Sequence, residues 1–164
     1  MVYKQQFTAE EWKTLEFSII WMFQAIAGAD KNIDKNELQA LTTLKEKSHK
    51  FDCDIMRELI PSIHYDIDSI SNYFAVDQRN IKTGLREIAD IVDSNLSLDQ
   101  SLLFKKSLLA IGMFIAYASG DVLSSKMSNE ELQLLVELAL FMKMSINDYR
   151  KTPTVEELMK KFME

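Results

Sequence analysis

The chain has 164 residues, one domain's length and enough to bury a core, and its 4 glycines and 2 prolines argue against sandwiches, barrels and glycine-looped nucleotide folds. Hydrophobic residues make up 47% and charged residues 27%, the composition of a globular chain rather than a disordered or membrane-spanning one. The net charge of −6 leaves no basic excess to neutralise phosphates, which argues against a nucleic-acid-binding surface.

Helical spacing and capping boxes predict helices over 9–28, 35–48, 53–60, 63–74, 78–93, 98–119, 129–143 and 155–163, and no segment alternates as a strand would. The first opens on the box Thr8-Ala-Glu-Glu11 and is apolar on more than one face. Its Ile19–Ala29 stretch is no signal-peptide core, because Glu10, Glu11 and Glu16 precede it where positive residues belong. The second opens on Asp34-Lys-Asn-Glu37 and ends near His49, where a cation suits the C-terminal dipole. Cys53, the single cysteine, lies between Asp52 and Asp54, which disfavour a thiolate. It reads as a buried small residue of a reducing compartment, and the cytoplasm is the expected location.

Pro61 is expected to separate the third helix from the fourth. The fourth carries Ile67, Ile70, Tyr73 and Phe74 with Asp66, Asp68 and Asp77, an acidic amphipathic stretch suited to packing or to a partner. His64 shares a helical face with Asp68 alone, too few ligands for a metal. The fifth shows the stripe Ile81, Leu85, Ile88 and Val92. The sixth opens on Ser97-Leu-Asp-Gln100 and is as apolar as the first, with Leu102, Leu103, Leu109, Met113 and Ala116. The seventh and eighth open on Ser128-Asn-Glu-Glu131 and Thr154-Val-Glu-Glu157. A helix that is hydrophobic nearly all round belongs at the centre of a fold, so 9–28 and 98–119 are the expected core, with Met22, Phe23, Met113 and Phe114 as packing residues. The whole chain, 1–164, reads as one all-α, multihelical domain.

These two helices open an internal repeat. Met22-Phe23-Gln-Ala25-Ile-Ala27-Gly-Ala-Asp30 aligns with Met113-Phe114-Ile-Ala116-Tyr-Ala118-Ser-Gly-Asp121, and Glu37-Leu38-Gln39 with Glu131-Leu132-Gln133 after a longer second loop. Each unit, about 12–48 and 102–143, is a long apolar helix, an Asp, a polar loop, a capping box and a second helix. Two such units suggest a pseudo-twofold core.

The pattern Ala29-Asp30-x-x-Ile33-Asp34-x-x-Glu37-Leu38 resembles the signature of the TerB-like family, the tellurite-resistance TerB and its relatives. Gly120-Asp121 followed by Ser128-x-x-Glu131-Leu132 is similar to a second copy. The first copy departs from the family in carrying Lys31 where glycine is usual, and the second has its glycine before the Asp rather than after it. The resemblance covers about 12–148 and implies an all-α fold with two central helices. It also implies a bacterial cytoplasmic stress or resistance setting, in some relatives at the inner face of the membrane, an acidic cluster for a divalent cation, and no catalytic activity.

Read as chemistry, Asp30, Asn32, Asp34 and Glu37 offer oxygens for a hard cation such as Ca²⁺ or Mg²⁺. The loop is not an EF-hand, because Lys35 stands where that loop needs glycine and Leu41 where it needs a bidentate Glu. If the two units meet, Asp30, Asp34, Glu37, Asp121 and Glu131 are the candidate metal ligands. The bland alternative is that Asp34 with Glu37, and Ser128 with Glu131, only cap helices, and that Asp30 and Asp121 accept loop amides. No catalytic or nucleotide-binding motif occurs. The expectation is a non-catalytic binding module with a protein partner and no membrane span, peripheral membrane contact and a homodimer being open. A plain helical scaffold without ligand is the alternative, and a carboxylate-metal hydrolase is the weaker third reading.

Overall fold

A computed structural model describes residues 3–27, 35–63, 79–119 and 129–164, with the side chains of 27, 35–38, 118, 119 and 129–131 left aside. Among the described residues the only regular structure is helical. The α-helices are α1 (Ala9–Ala27), α2 (Lys35–Glu46), α3 (Asp54–Ser62), α4 (Ile81–Asn95), α5 (Leu98–Ser119), α6 (Asn129–Phe141), α7 (Ile146–Arg150) and α8 (Val155–Met163). Short 3-10 turns, Lys4–Gln6 and Ser48–Lys50, lie before α1 and after α2.

The helix starts follow the caps. Thr8 Oγ1 accepts the N–H of Glu11 (3.1 Å) while Glu11 Oε1 accepts the N–H of Thr8 (2.8 Å), and Ser97 with Gln100 repeats the exchange at α5. At α8, Thr154 Oγ1 accepts the N–H of Glu157 (3.2 Å). The sequence reading missed α7, although Ser145 and Asp148 form a full capping box there. It also set the start of α4 too early, since the N-cap is Asn80, whose side chain accepts the N–H of Thr83 (2.8 Å).

Pro61 does not end α3 as expected; it lies inside the helix, which runs to Ser62. In the last turn a proline costs a single backbone bond, and the buried Ile60 and Ile63 on either side hold the chain against the core. The structure ends α6 at Phe141, earlier than the sequence suggested. Lys143 adopts φ 59°, with its N–H on the Leu140 carbonyl (3.0 Å) and the N–H of Met144 on that of Ala139 (3.1 Å). This is a Schellman stop built on a lysine where glycine is usual. The expected helix 63–74 and its acidic stretch, with His64, lie outside the described residues beyond Ile63.

The centre is the pair α1 and α5, which pack on each other. On α5 every residue from Phe104 through Ala116 is buried, and on α1 so is every residue from Phe17 through Phe23. Met22, Phe23, Met113 and Phe114 are all core residues, as the apolar patterning required. Helices α2, α6, α4, α3 and α8 all touch α5, and α4 also lies along α1. Gly112 lets α5 approach its neighbours, since a Cβ there would stand 3.0 Å from Met22 Cε and 3.3 Å from Leu135 Cδ2 of α6. Helix α6 rests chiefly on α5 and α4, so both shorter helices of the sequence repeat lean on the same central helix.

Trp21 sets the spacing between α1 and α4. Its ring stacks on Phe17 (centroids 5.7 Å apart), and the Arg79 guanidinium sits 5.0 Å from the ring centroid. Gly84 lies against the same indole, where a Cβ would come within 2.7 Å of two ring carbons. An exposed helical glycine gains stability on substitution by alanine, up to about 1 kcal/mol. Here a rigid buried ring is in the way, and overpacking costs about 1–3 kcal/mol. Gly84→Ala should therefore lower the urea midpoint; a midpoint that rises would show that α4 can slide off Trp21 at little cost.

Candidate functional site

The acidic residues singled out in the sequence flank the two connections that follow α1 and α5. Asp30, Asp34 and Asp121 lie outside the described residues. Glu37 and Glu131 stand third in α2 and α6, the position that a capping box assigns to its acid, and their side chains are outside the description. Asp34 and Ser128, expected as the N-caps of these two helices, lie outside the described residues. Among the described residues, no group of three or more His, Cys, Asp or Glu could hold a metal ion. His49 is exposed in the turn after α2. Among the same residues no helix is long and apolar enough to cross a membrane.

The polar chemistry that the structure does bring together lies on α5, and the sequence reading passed over it. Lys105 and Lys106 are buried on a helix whose surroundings are almost entirely apolar, and a buried ammonium needs partners. Lys105 Nζ reaches Asp93 on α4, 3.0 Å from Oδ1 and 3.2 Å from Oδ2, and Ser101 Oγ donates to the same carboxylate (2.5 Å). Burial works against the charged form of Asp93, but the Ser101 hydroxyl and the Lys105 ammonium outweigh it and hold the carboxyl below its ordinary range. Lys106, 2% exposed, donates to the carbonyls of Lys151 and Pro153 (3.1 Å to the latter), in the segment joining α7 to α8. Burial lowers its pKa, and the negative charge of Asp148 partly restores it. The signal available in the sequence was the pair of lysines itself, in the middle of a helix too apolar to offer them water.

Cys53, 2% exposed, lines a small pocket of about 60 Å³ with Tyr3, Asp52, Asp54, Ile55, Gln100 and Leu103. Ligand pockets for small organic molecules run to about 300–1,000 Å³, so this one admits little more than water. Burial pushes the thiol up to about 11, against weaker pulls from the backbone around Met56 and Ile55. The buried Ser107 hydroxyl beside it is a further weak pull in the same direction. A thiol held protonated is no nucleophile at neutral pH, in keeping with the reading of its acidic neighbours in the sequence.

One described surface is unusual for its apolar character. On α6, Leu132, Val136 and Leu140 recur every fourth residue and are 44%, 55% and 61% exposed, while Leu135 and Leu138 of the same helix are buried. Comparison with protein-family models, with curated proteins and with solved structures finds no match for this chain.

Two outcomes follow from the buried groups. Lys106→Met should free the α7–α8 connection. Loss of one charge-assisted hydrogen bond, about 1.4 kcal/mol, corresponds to about tenfold faster tryptic cleavage after Arg150 or Lys151, and an unchanged rate would mean that other contacts hold the segment. The Cys53 thiol has a folded pKa above its unfolded one, from 9.0 to about 11. Its contribution is complete below about pH 9 and is lost as pH rises toward 11, at most about 3 kcal/mol. Urea midpoints at pH 8 and 10.5 should fall further for the wild type than for Cys53→Ala, and parallel falls would contradict the buried-thiol assignment.

Proposed function

We propose that the chain is a non-catalytic, TerB-like binding module that works through protein contacts and is tuned by a divalent cation, Ca²⁺ or Mg²⁺, held by Asp30, Asp34, Glu37, Asp121 and Glu131. The observation that carries this reading is the doubled unit, in which a long apolar helix, an Asp and a Glu-Leu-Gln helix start recur in one order. Two features support it. The two long helices of the units, α1 and α5, pack on each other. Glu37 and Glu131 hold the same position at the head of α2 and α6. The exposed stripe Leu132, Val136 and Leu140 favours partner contact over isolation, since contiguous apolar surface of this kind marks interaction sites. The family setting is a bacterial cytoplasmic stress or resistance system.

The competing reading is a plain scaffold, and the observation that favours it is the same helix-head position of the two glutamates, where capping alone employs an acid.

Thermal unfolding of the metal-free protein with and without millimolar Ca²⁺, Mg²⁺, Mn²⁺ or Zn²⁺ separates the two. An ion at about 100 times its dissociation constant should stabilise the fold by about 2.7 kcal/mol, and Asp30→Asn or Asp121→Asn should remove the shift. With no shift for any ion, the acids are caps, and each Asp→Ala change should cost about 1 kcal/mol with no ion dependence.

A further inference from the structure

Helix α6 has two apolar faces. Leu135, Leu138 and Ala139 are buried where it rests on α5 and α4. Leu132, Val136 and Leu140 stand outside, exposed, on one ridge, each step of four residues turning about 40° around the helix. Gln133 and Glu137, both exposed, border that ridge. A surface helix ordinarily turns polar residues outward, and three branched aliphatic side chains in a row call for a cover.

Two features of the ridge favour a second copy of the chain over a foreign partner. The first is its order. Leu-x-x-x-Val-x-x-x-Leu reads the same from either end, with Val136 in the middle. An antiparallel copy therefore sets Leu132 opposite Leu140 of the other copy and Val136 opposite itself, the self-complementarity that an isologous contact requires. The second is charge. Glu130 stands in the first turn of α6. At the other end, Lys143 follows the last turn, and the Lys82 ammonium sits 5.9 Å from the Phe141 ring centroid. Asp90 pairs with Lys143, and the two lysines still leave that end net positive. Turning one copy end for end brings the acidic end of each α6 to the basic end of the other, and the helix dipoles align favourably in the same arrangement.

We propose that α6 pairs antiparallel with α6 of a second copy of this chain across Leu132, Val136 and Leu140, on a two-fold axis at Val136. This rests on the reading of the stripe as a contact surface and names what it contacts. The three residues make a patch of a few hundred Å², short of a permanent interface, so the pairing is reversible and of micromolar strength. Glu137 lies one residue from the axis, and its approach to its own copy works against the pairing and limits the affinity.

The test is sedimentation equilibrium of the full chain from micromolar to several hundred micromolar, with urea midpoints measured at the low end. The mass should rise with concentration from 19.0 kDa toward twice that value. Val136→Glu should weaken the dimer about a hundredfold and leave the urea midpoint unchanged, because it places a charge at the centre of the contact but on the surface of the monomer. Glu137→Gln should tighten the dimer about twofold at low salt. With Cys53 replaced by alanine, Val136→Cys should cross-link to itself on air oxidation, whereas Leu132→Cys should cross-link only when mixed with Leu140→Cys. A chain that stays at 19.0 kDa throughout would overturn the proposal, as would a dimer that survives Val136→Glu or fails to cross-link through position 136. In the monomeric case the urea midpoint of Val136→Glu separates two causes. Unchanged, it leaves the ridge open to a foreign partner, and the binding-module reading stands. Lowered, it shows that the chain's own residues cover the ridge, and the support the stripe lends to that reading falls as well.

Discussion

Everything in this molecule depends on the mutual burial of α1 and α5. Two helices that are apolar on most of their circumference cannot face water, and each is long enough to span a domain of this size. Packed together and sheathed by α2, α3, α4, α6 and α8, they leave no residue of α5 between Phe104 and Ala116 exposed. The outer helices need only one apolar face each. Thus α4 buries Leu85, Ile88 and Val92, and α8 buries Val155, Leu158, Met159 and Phe162. Phe162 reaches the centre directly, edge-on to Phe114 (centroids 4.8 Å apart) and tilted on Phe51 (4.9 Å).

A core built this way is exacting about its polar residues. Lys105 and Lys106 sit largely buried on α5, so each must be answered by another element. Asp93 answers the first from the end of α4, and the carbonyls of Lys151 and Pro153 answer the second from the α7–α8 connection. Uncompensated, either ammonium would cost several kcal/mol. The two lysines therefore join distant parts of the chain to its central helix, with the directionality that apolar packing lacks. The Cys53 thiol shows the converse case. It is buried with no opposite charge beside it, and it remains protonated.

The candidate binding acids occupy the other end of this logic. In sequence they follow the two central helices rather than lying within them. Capping and cation binding draw on the same property there, the preference of negative charge for unsatisfied N–H groups or for a hard cation. Glu37 and Glu131 suit either role by position, whereas Asp30 and Asp121 precede the caps in sequence, and capping gives them no task.

What the sequence by itself determined is the helical class, the two central helices and most helix starts, because these rest on local physics: apolar periodicity, and side-chain oxygens such as those of Thr8, Ser97 and Thr154 that satisfy amides three residues on. Local rules also erred locally. Pro61 lies in the last turn of α3 rather than beyond it; the Ser145 box opens a helix of five residues, α7, absent from the sequence reading; and Lys143 takes a conformation usually left to glycine. Tertiary structure alone decided which groups meet across the chain. Nothing local ties Lys105 to Asp93, Lys106 to the carbonyl of Lys151, Gly84 to Trp21 or Tyr3 to Glu58. Such pairings follow from which helix faces which, and that is settled by the shape of the whole core rather than by any one segment.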